Sequence, residues 1–278
     1  MKKCTFLLLA LLFSAITFAQ KKDKLKGSRT VTVSQKEVEH FHSLKVEDDM
    51  EVYLIKGDNS HIEIEADDNL HEALLAEDRQ GQLILSFSKN ITNYKKFIVR
   101  VFYTDGLKEV EARNQSKVLA TETMILDNIS LKSNESAVMA LNIEAKQVTL
   151  KPDGNSEMQL NAKTETIQIE MNGKSDLKAL IAATEIKCDL YEKSKAVIEG
   201  DVIDLKLRLD NNSDFMGKDL TAKNATILVE SYANAAVLVE NMLDFSASGN
   251  TETLLYGEPK ITMTLFTDNA KLGKKSVK

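Results

Sequence analysis

Four histidines, His40, His42, His61 and His71, lie in the N-terminal part of a 278-residue chain and are the first side chains to weigh for chemistry. His40 and His42, two positions apart, would share one face of a strand and could present two imidazoles to a metal ion. A zinc site needs at least a third ligand at a compatible spacing. None presents itself, so the pair reads as surface histidine, and no metal or other cofactor is expected. No histidine follows His71, so a Ser-His-Asp or Cys-His centre cannot be built from the remainder of the chain alone. Glu122, Glu144, Glu165 and Glu185 recur at intervals of 22, 21 and 20 residues. Stacked carboxylates could hold calcium or act as acid and base on a glycan. The intervals drift, however, and Lys146, Lys163 and Lys187 lie close by, so a solvated charged face is the better reading and no catalytic residue is assigned. Tyr191, Tyr232 and Tyr256 fall near polar corners at uneven spacing. They form the one candidate ligand patch, because a tyrosine offers an apolar ring with a polar tip. Cys188 alternates with Ile186 and Leu190 and reads as a small core residue.

The elements that must position these residues announce themselves by repetition. Apolar pairs at i and i+2 recur as Val110/Ala112, Ile129/Leu131, Val148/Leu150, Ile167/Ile169, Ile186/Cys188 and Leu205/Leu207, nineteen residues apart. The next pair reads as Ile227/Val229, followed by Leu243/Phe245 and Ile261/Met263. After most pairs comes a polar corner such as Asn134-Glu135-Ser136, Asp153-Gly154-Asn155 or Asn172-Gly173-Lys174, whose residue types tolerate left-handed backbone. A second short strand follows, with Val118, Val138, Met158/Leu160, Leu177/Ala179, Ala196/Ile198 and Phe215 as its inward residues. One such unit cannot bury its apolar face alone, but units stacked about 4.8 Å apart share a continuous core. The expected fold is all-β, a right-handed parallel β-helix (β-solenoid) of about 19 residues per rung, roughly 38 Å long over nine rungs. An antiparallel sandwich is the competing architecture. Residues 36–103 lack the repeat and are expected to form an N-terminal β-rich cap, with 104–270 as the regular rungs of one domain spanning 36–278. A short helical turn is expected within 69–77, and Lys271, Lys274, Lys275 and Lys278 are expected to guard the last rung.

The ends and the charge balance bound the setting. Met1, Lys2 and Lys3 precede an apolar run from Phe6 to Phe18, too short for a comfortable span, and Thr17-Phe18-Ala19 supplies small residues for cleavage after Ala19. Residues 1–19 are therefore read as a signal peptide and 20–35, rich in lysine, as a polar linker. The expected mature chain carries 34 cations and 42 anions, a net charge of 34 − 42 = −8, and retains only Cys188, so no internal disulfide is available to it. An acidic chain with no basic block is not built for nucleic acid. With no further apolar stretch of spanning length, no membrane span is expected after cleavage.

The opening Phe41-His42-Ser43-Leu44-Lys45-Val46, the passage Met50 to Ile55, Ala66-Asp67-Asp68-Asn69-Leu70, Gly81-Gln82-Leu83-Ile84-Leu85 and the corners that follow carry a resemblance. Over residues 38–270 the chain resembles the family described as putative auto-transporter adhesin, head GIN domain. The family's Gly-Ser-Gly-like corners are replaced here by Asn-Gln-Ser, Asn-Glu-Ser and Asn-Asn-Ser. The resemblance implies a β-helix from the envelope of a Bacteroidetes-like bacterium and offers no catalytic motif. Together these readings favour a non-catalytic, exported binding or adhesion module in the periplasm, on the outer-membrane surface or secreted. Its partner would be an envelope polysaccharide or a protein, and homo-oligomerisation stays open. The alternatives are a glycan-cleaving β-helix enzyme and a periplasmic scaffold. An enzyme would bring carboxylates together in one groove with at least one pushed up in pKa, whereas a binder would expose a patch with few ionisable groups at its centre.

Overall fold

The computed structural model describes residues 22–276. The expected signal peptide, its cleavage point and Lys278 lie outside the described residues. The N-terminal part contains β1 (Lys24–Lys26), β2 (Val31–Glu37), β3 (Ser43–Val46), β4 (Glu51–Lys56), β5 (His61–Asp67), a 3-10 turn (Asp68–Ala73), β6 (Leu74–Asp78), β7 (Gln82–Phe87), β8 (Asn90–Thr92) and β9 (Phe97–Tyr103). The repetitive part contains β10 (Glu109–Ala112), β11 (Lys117–Ser133), β12 (Val138–Pro152), β13 (Glu157–Met171), β14 (Asp176–Leu190), β15 (Lys195–Leu209), β16 (Asp214–Val229), β17 (Asn234–Ala247), β18 (Glu252–Tyr256), β19 (Lys260–Phe266) and β20 (Lys271–Lys275). These strands form a β-solenoid of about nine turns with about 19 residues per rung.

Each rung is one long strand with a bend. In β13 alternate residues from Met158 to Thr164 are buried, then Glu165 and Thr166 are exposed in succession, and Ile167, Ile169 and Met171 are buried again. Two adjacent outward residues reverse the alternation, so the strand turns there and divides into a first arm (157–164) and a second arm (166–171). Parallel pairing sets Ile129, Val148, Ile167, Ile186 and Leu205 in one vertical column, and every member is at most 3% exposed. The column continues through Ala225, Leu243 and Ile261. The equivalent of Leu205/Leu207 is therefore Ala225/Ile227 and not Ile227/Val229. An extra residue near Gly217 lengthens that rung, and alanine is a weak apolar signal. Likewise Met139, not Val138, stacks on Val118, because β11 carries two extra residues between Leu119 and Thr123.

The corners explain the polar runs. The second residue of each corner has positive φ, as in Glu135 (63°), Gly154 (72°), Gly173 (71°), Glu192 (60°) and Asn211 (62°). The fourth turns inward and is small: Ser175, Ser194 and Ser213 are fully buried. Their hydroxyls donate to the carbonyls of Asn172, Tyr191 and Asp210 at 2.8, 2.8 and 2.9 Å, so none is buried unpaired.

The N-terminal part is inlaid rather than laid down in order. β3 lies between β7 and β10, and β4 lies between β9 and β11. The rung formed by residues 82–103 thus sits outside the rung formed by residues 43–56. Antiparallel β5 and β2 then extend the first-arm sheet beyond β9, and antiparallel β6 borders β7. The segment 20–35, read as a polar linker, contains β1 and most of β2 among its described residues. β2 is an edge strand, mostly exposed, which can afford a polar composition. The helical turn expected within 69–77 is a 3-10 turn over 68–73 that gives way to β6.

Candidate functional site

Outward residues stack as regularly as inward ones, so each face of the solenoid displays vertical ladders. On the second-arm face one ladder runs Ser130, Thr149, Gln168, Lys187, Lys206, Thr226 and Asp244. Every member is polar or charged, the ordinary solvated side of a strand. The first-arm face differs. Its ladder runs Lys178, Val197, Met216, Ala236 and Leu254, with Met216 58% exposed. A groove of about 460 Å³ follows these residues, rimmed by Lys195, Asp214, Asn234 and Glu252. Asn234 donates to Asp214 at 3.0 Å, which braces one wall.

Packing below the groove is set by one glycine. A Cβ at Gly217 would stand 2.4 Å from Cε1 of Phe215, so the bare backbone leaves the space that the Phe215 ring fills. A second groove of about 500 Å³ lies toward the N-terminal end and shares Lys178 and Val197 with the first. Its lining includes Asn142, Asn161 and Gln159 beside Leu180, which is 53% exposed. Asn161 donates to Asn142 Oδ1 at 2.7 Å, an amide ladder in step with the rungs. The first-arm face therefore carries one furrow, amide-lined at one end and apolar at the other.

The tyrosines are placed apart. Tyr191 opens a corner beneath Arg208, whose guanidinium carbon lies 5.8 Å from the ring centroid. Tyr232 is the third residue of a corner two rungs on and is 59% exposed. Tyr256 ends β18, at the opposite end of the first arm. Tyr191 and Tyr232 thus share one edge of the solenoid, and Tyr256 does not join them. The furrow is not apparent from the inward repeat, and the outward charged and tyrosine residues do not mark it. Its signal was the outward series Val197, Met216 and Leu254, apolar where a strand facing water is polar.

The other chemistry-bearing residues are dispersed. His40 and His42 precede β3 rather than sharing a strand face, and His40 meets Thr104 Oγ1 at 3.1 Å. His61 stacks on Phe102 with ring centroids 3.9 Å apart, and His71 meets Thr32 and Ser34 hydroxyls at 2.8 and 2.6 Å. Among the described residues no group of three or more His, Cys, Asp or Glu side chains is arranged to hold a metal. Glu144 and Glu185 lie on different ladders and pair with Lys163 and Lys206 at 3.3 and 3.0 Å. Five described carboxylates are displaced from the ordinary range, and all move down. Lys96 and Arg100 lower Glu65, Lys146 lowers Asp127, Lys274 lowers Glu258, and the Ser231 hydroxyl lowers Asp210. Burial would raise Asp67, but main-chain N–H groups of Arg29, Lys95 and Lys96 more than offset it. Cys188 is fully buried, and burial pushes its thiol well up.

A parallel β-solenoid with one furrowed face and an inlaid N-terminal cap is the class of protein these features define. The chain belongs to the family described as putative auto-transporter adhesin, head GIN domain, whose pattern matches residues 40–181 and 161–259. Its fold is shared by a putative adhesin of Parabacteroides distasonis (TM-score 0.70, 17% identity, 92% of this chain and 100% of that one covered). A putative adhesin of Parabacteroides merdae is also similar (TM-score 0.62, 16% identity, 91% and 99% covered). So is a putative lipid binding protein of Parabacteroides distasonis (TM-score 0.60, 14% identity, 91% and 100% covered). None of the curated proteins is similar to the chain. Among the described residues no helix is long and apolar enough to cross a membrane.

Proposed function

We propose that this protein is an exported, non-catalytic binding module of the bacterial envelope, and that the furrow on the first-arm face holds an extended partner. The carrying observation is the contrast between the faces: one wholly polar ladder, and one that after Lys178 places Val197, Met216, Ala236 and Leu254 outward in succession, with Lys195, Asp214 and Glu252 at the rim. An apolar centre with a polar rim is the anatomy of an interface. Stacked rungs repeat their contacts along the rod, which suits an elongated polymer or peptide. Membership of a family named for adhesion supports an exported or surface role. The downward displacement of Glu65, Asp67, Asp127, Asp210 and Glu258 supports a non-catalytic reading, since a general acid would be held up.

The test compares faces. Residues 20–278 are screened for binding to envelope polysaccharide and envelope protein fractions, alongside Met216→Glu in the furrow and Thr226→Glu on the polar face. We expect Met216→Glu to weaken binding at least roughly tenfold, the scale of burying an unpaired charge, and Thr226→Glu to leave it unchanged. Equal loss from both variants, or from neither, overturns the furrow. Turnover of a glycan that is abolished by mutating a single carboxylate overturns the non-catalytic reading.

A further inference from the structure

The two ends of the solenoid are finished differently. At the N-terminal end antiparallel β2 and β6 border the sheets, and Phe41, Leu70 of the 3-10 turn and Leu74 of β6 are buried. At the C-terminal end no described residue covers the inward columns of the second arm. Ile261 continues Leu243, Met263 continues Phe245 and Phe266 continues Ala247. The lower residues are at most 1% exposed, but Ile261, Met263 and Phe266 are 43%, 46% and 44% exposed. Lysines surround them: Lys260 opens β19, and Lys271, Lys274 and Lys275 lie on β20. Lys274 pairs with Glu258 at 2.9 Å. Among the described residues Lys260, Lys271 and Lys275 have no carboxylate within 4.0 Å. The last described rung thus sets four lysines against Glu258 and Asp268 around an apolar centre, a rim of net positive charge.

Three features select what covers it. The same end of a second copy would bring Lys271 opposite Lys275 in an antiparallel β20 pair, and like charges directly opposite repel. β19 changes register on β17 between Phe245 and Ser246, a bulge that interrupts the row of main-chain groups an added strand would need. The other end of a second copy already has its core lidded. An occupant that needs no strand register, accepts apolar side chains and carries negative charge satisfies all three. We propose that the C-terminal end docks on an anionic lipid surface, with Ile261, Met263 and Phe266 entering the headgroup boundary and Lys260, Lys271 and Lys275 facing lipid phosphates. This proposal is independent of the furrow.

Residues 20–278 contain every described element and omit the apolar N-terminal stretch, so they are the species to sediment with vesicles. Vesicles of phosphatidylcholine are compared with vesicles containing roughly one third phosphatidylglycerol. We expect binding to the anionic vesicles at least roughly tenfold tighter, weakening as salt rises. The triple variant Lys260→Glu, Lys271→Glu and Lys275→Glu should abolish that preference, Ile261→Ser with Phe266→Ser should weaken binding roughly tenfold, and Met216→Glu should not change it. Equal sedimentation with both vesicle types, or a preference that survives the lysine variant, overturns the proposal. So does a dimer in analytical ultracentrifugation that is lost with Ile261→Ser and Phe266→Ser, since a second copy would then be the cover. The lysine variant alters exposed side chains only, so it decides the matter even where the apolar variant fails to fold.

Discussion

At the scale of single residues, burial and hydrogen bonding decide what each reactive group can do. Cys188 sits in a core column between Ile169 and Leu207, and the low-polarity surroundings disfavour its thiolate. In residues 20–278, where it is the sole cysteine, it should stay unmodified by an aromatic disulfide reagent in the folded protein and react stoichiometrically in denaturant. Fast labelling of the native protein would contradict its placement. Asp67 is buried and ties two segments together, accepting from Arg29 N at 2.7 Å and from Lys95 and Lys96 N at 3.1 and 3.2 Å. Its folded pKa lies below its unfolded one, so its contribution is complete above about pH 4 to 5 and is lost as pH falls through the folded value. Asp67→Asn should remove about 2 kcal/mol at neutral pH. Hydrogen exchange should show the Lys95 and Lys96 amides losing protection, and the same loss is expected in the unaltered protein in acid.

At the scale of elements, the left-handed corner residues form a stack in which each limits the next. A Cβ on Gly173 would stand 2.6 Å from the Gly154 carbonyl oxygen, at a backbone φ of 71°. Gly173→Ala should therefore cost roughly 1–3 kcal/mol in thermal or denaturant unfolding. Glu192 holds the same left-handed geometry with a side chain, so Glu192→Gly should gain about 0.5–1 kcal/mol, reduced by the extra freedom glycine gives the unfolded chain. Corner chemistry and inward columns were legible in the sequence because stacking forces both to return every nineteen residues. The N-terminal elements were not. β3 pairs with β7, which is later in sequence yet further out, and antiparallel β2 and β6 belong to no repeat. A polar edge strand such as β2 has one covered side and looks like a tail. The furrow is written in Val197, Met216 and Leu254, but these outward positions fall outside the inward nineteen-residue repeat that marks the core. The ring chemistry of a tyrosine does not specify which edge of the solenoid carries it, so Tyr256 on β18 stands apart from Tyr191 and Tyr232 at the corners.

At the scale of the whole molecule, stability should be close to a sum of rungs and the interfaces between them. β13, β14 and β15 pair at a constant offset of nineteen, so Ser175 and Ser194 are equivalent, as are Asp176 and Lys195. Deleting residues 176–194 joins equivalents and should leave a folded solenoid about 4.8 Å shorter. Deleting only residues 176–185 would join Ser175 to Ile186, turning Ile186 outward and Lys187 toward the core. Circular dichroism and small-angle scattering distinguish the two: the full-rung deletion should keep its β signal and cooperative melt, and the half-rung deletion should lose both. Collapse of the full-rung deletion would mean that the rungs are not interchangeable.

The inlaid beginning has a consequence for synthesis. Because β3 and β4 are flanked on one side by β7 and β9, the founding layer is incomplete until residue 103 has emerged, whatever has been made before it. From then on each further nineteen residues can settle on a finished template. A polypeptide halted midway would be a stub with a sound base and a sticky growing tip, and quality control would have to recognise the tip alone.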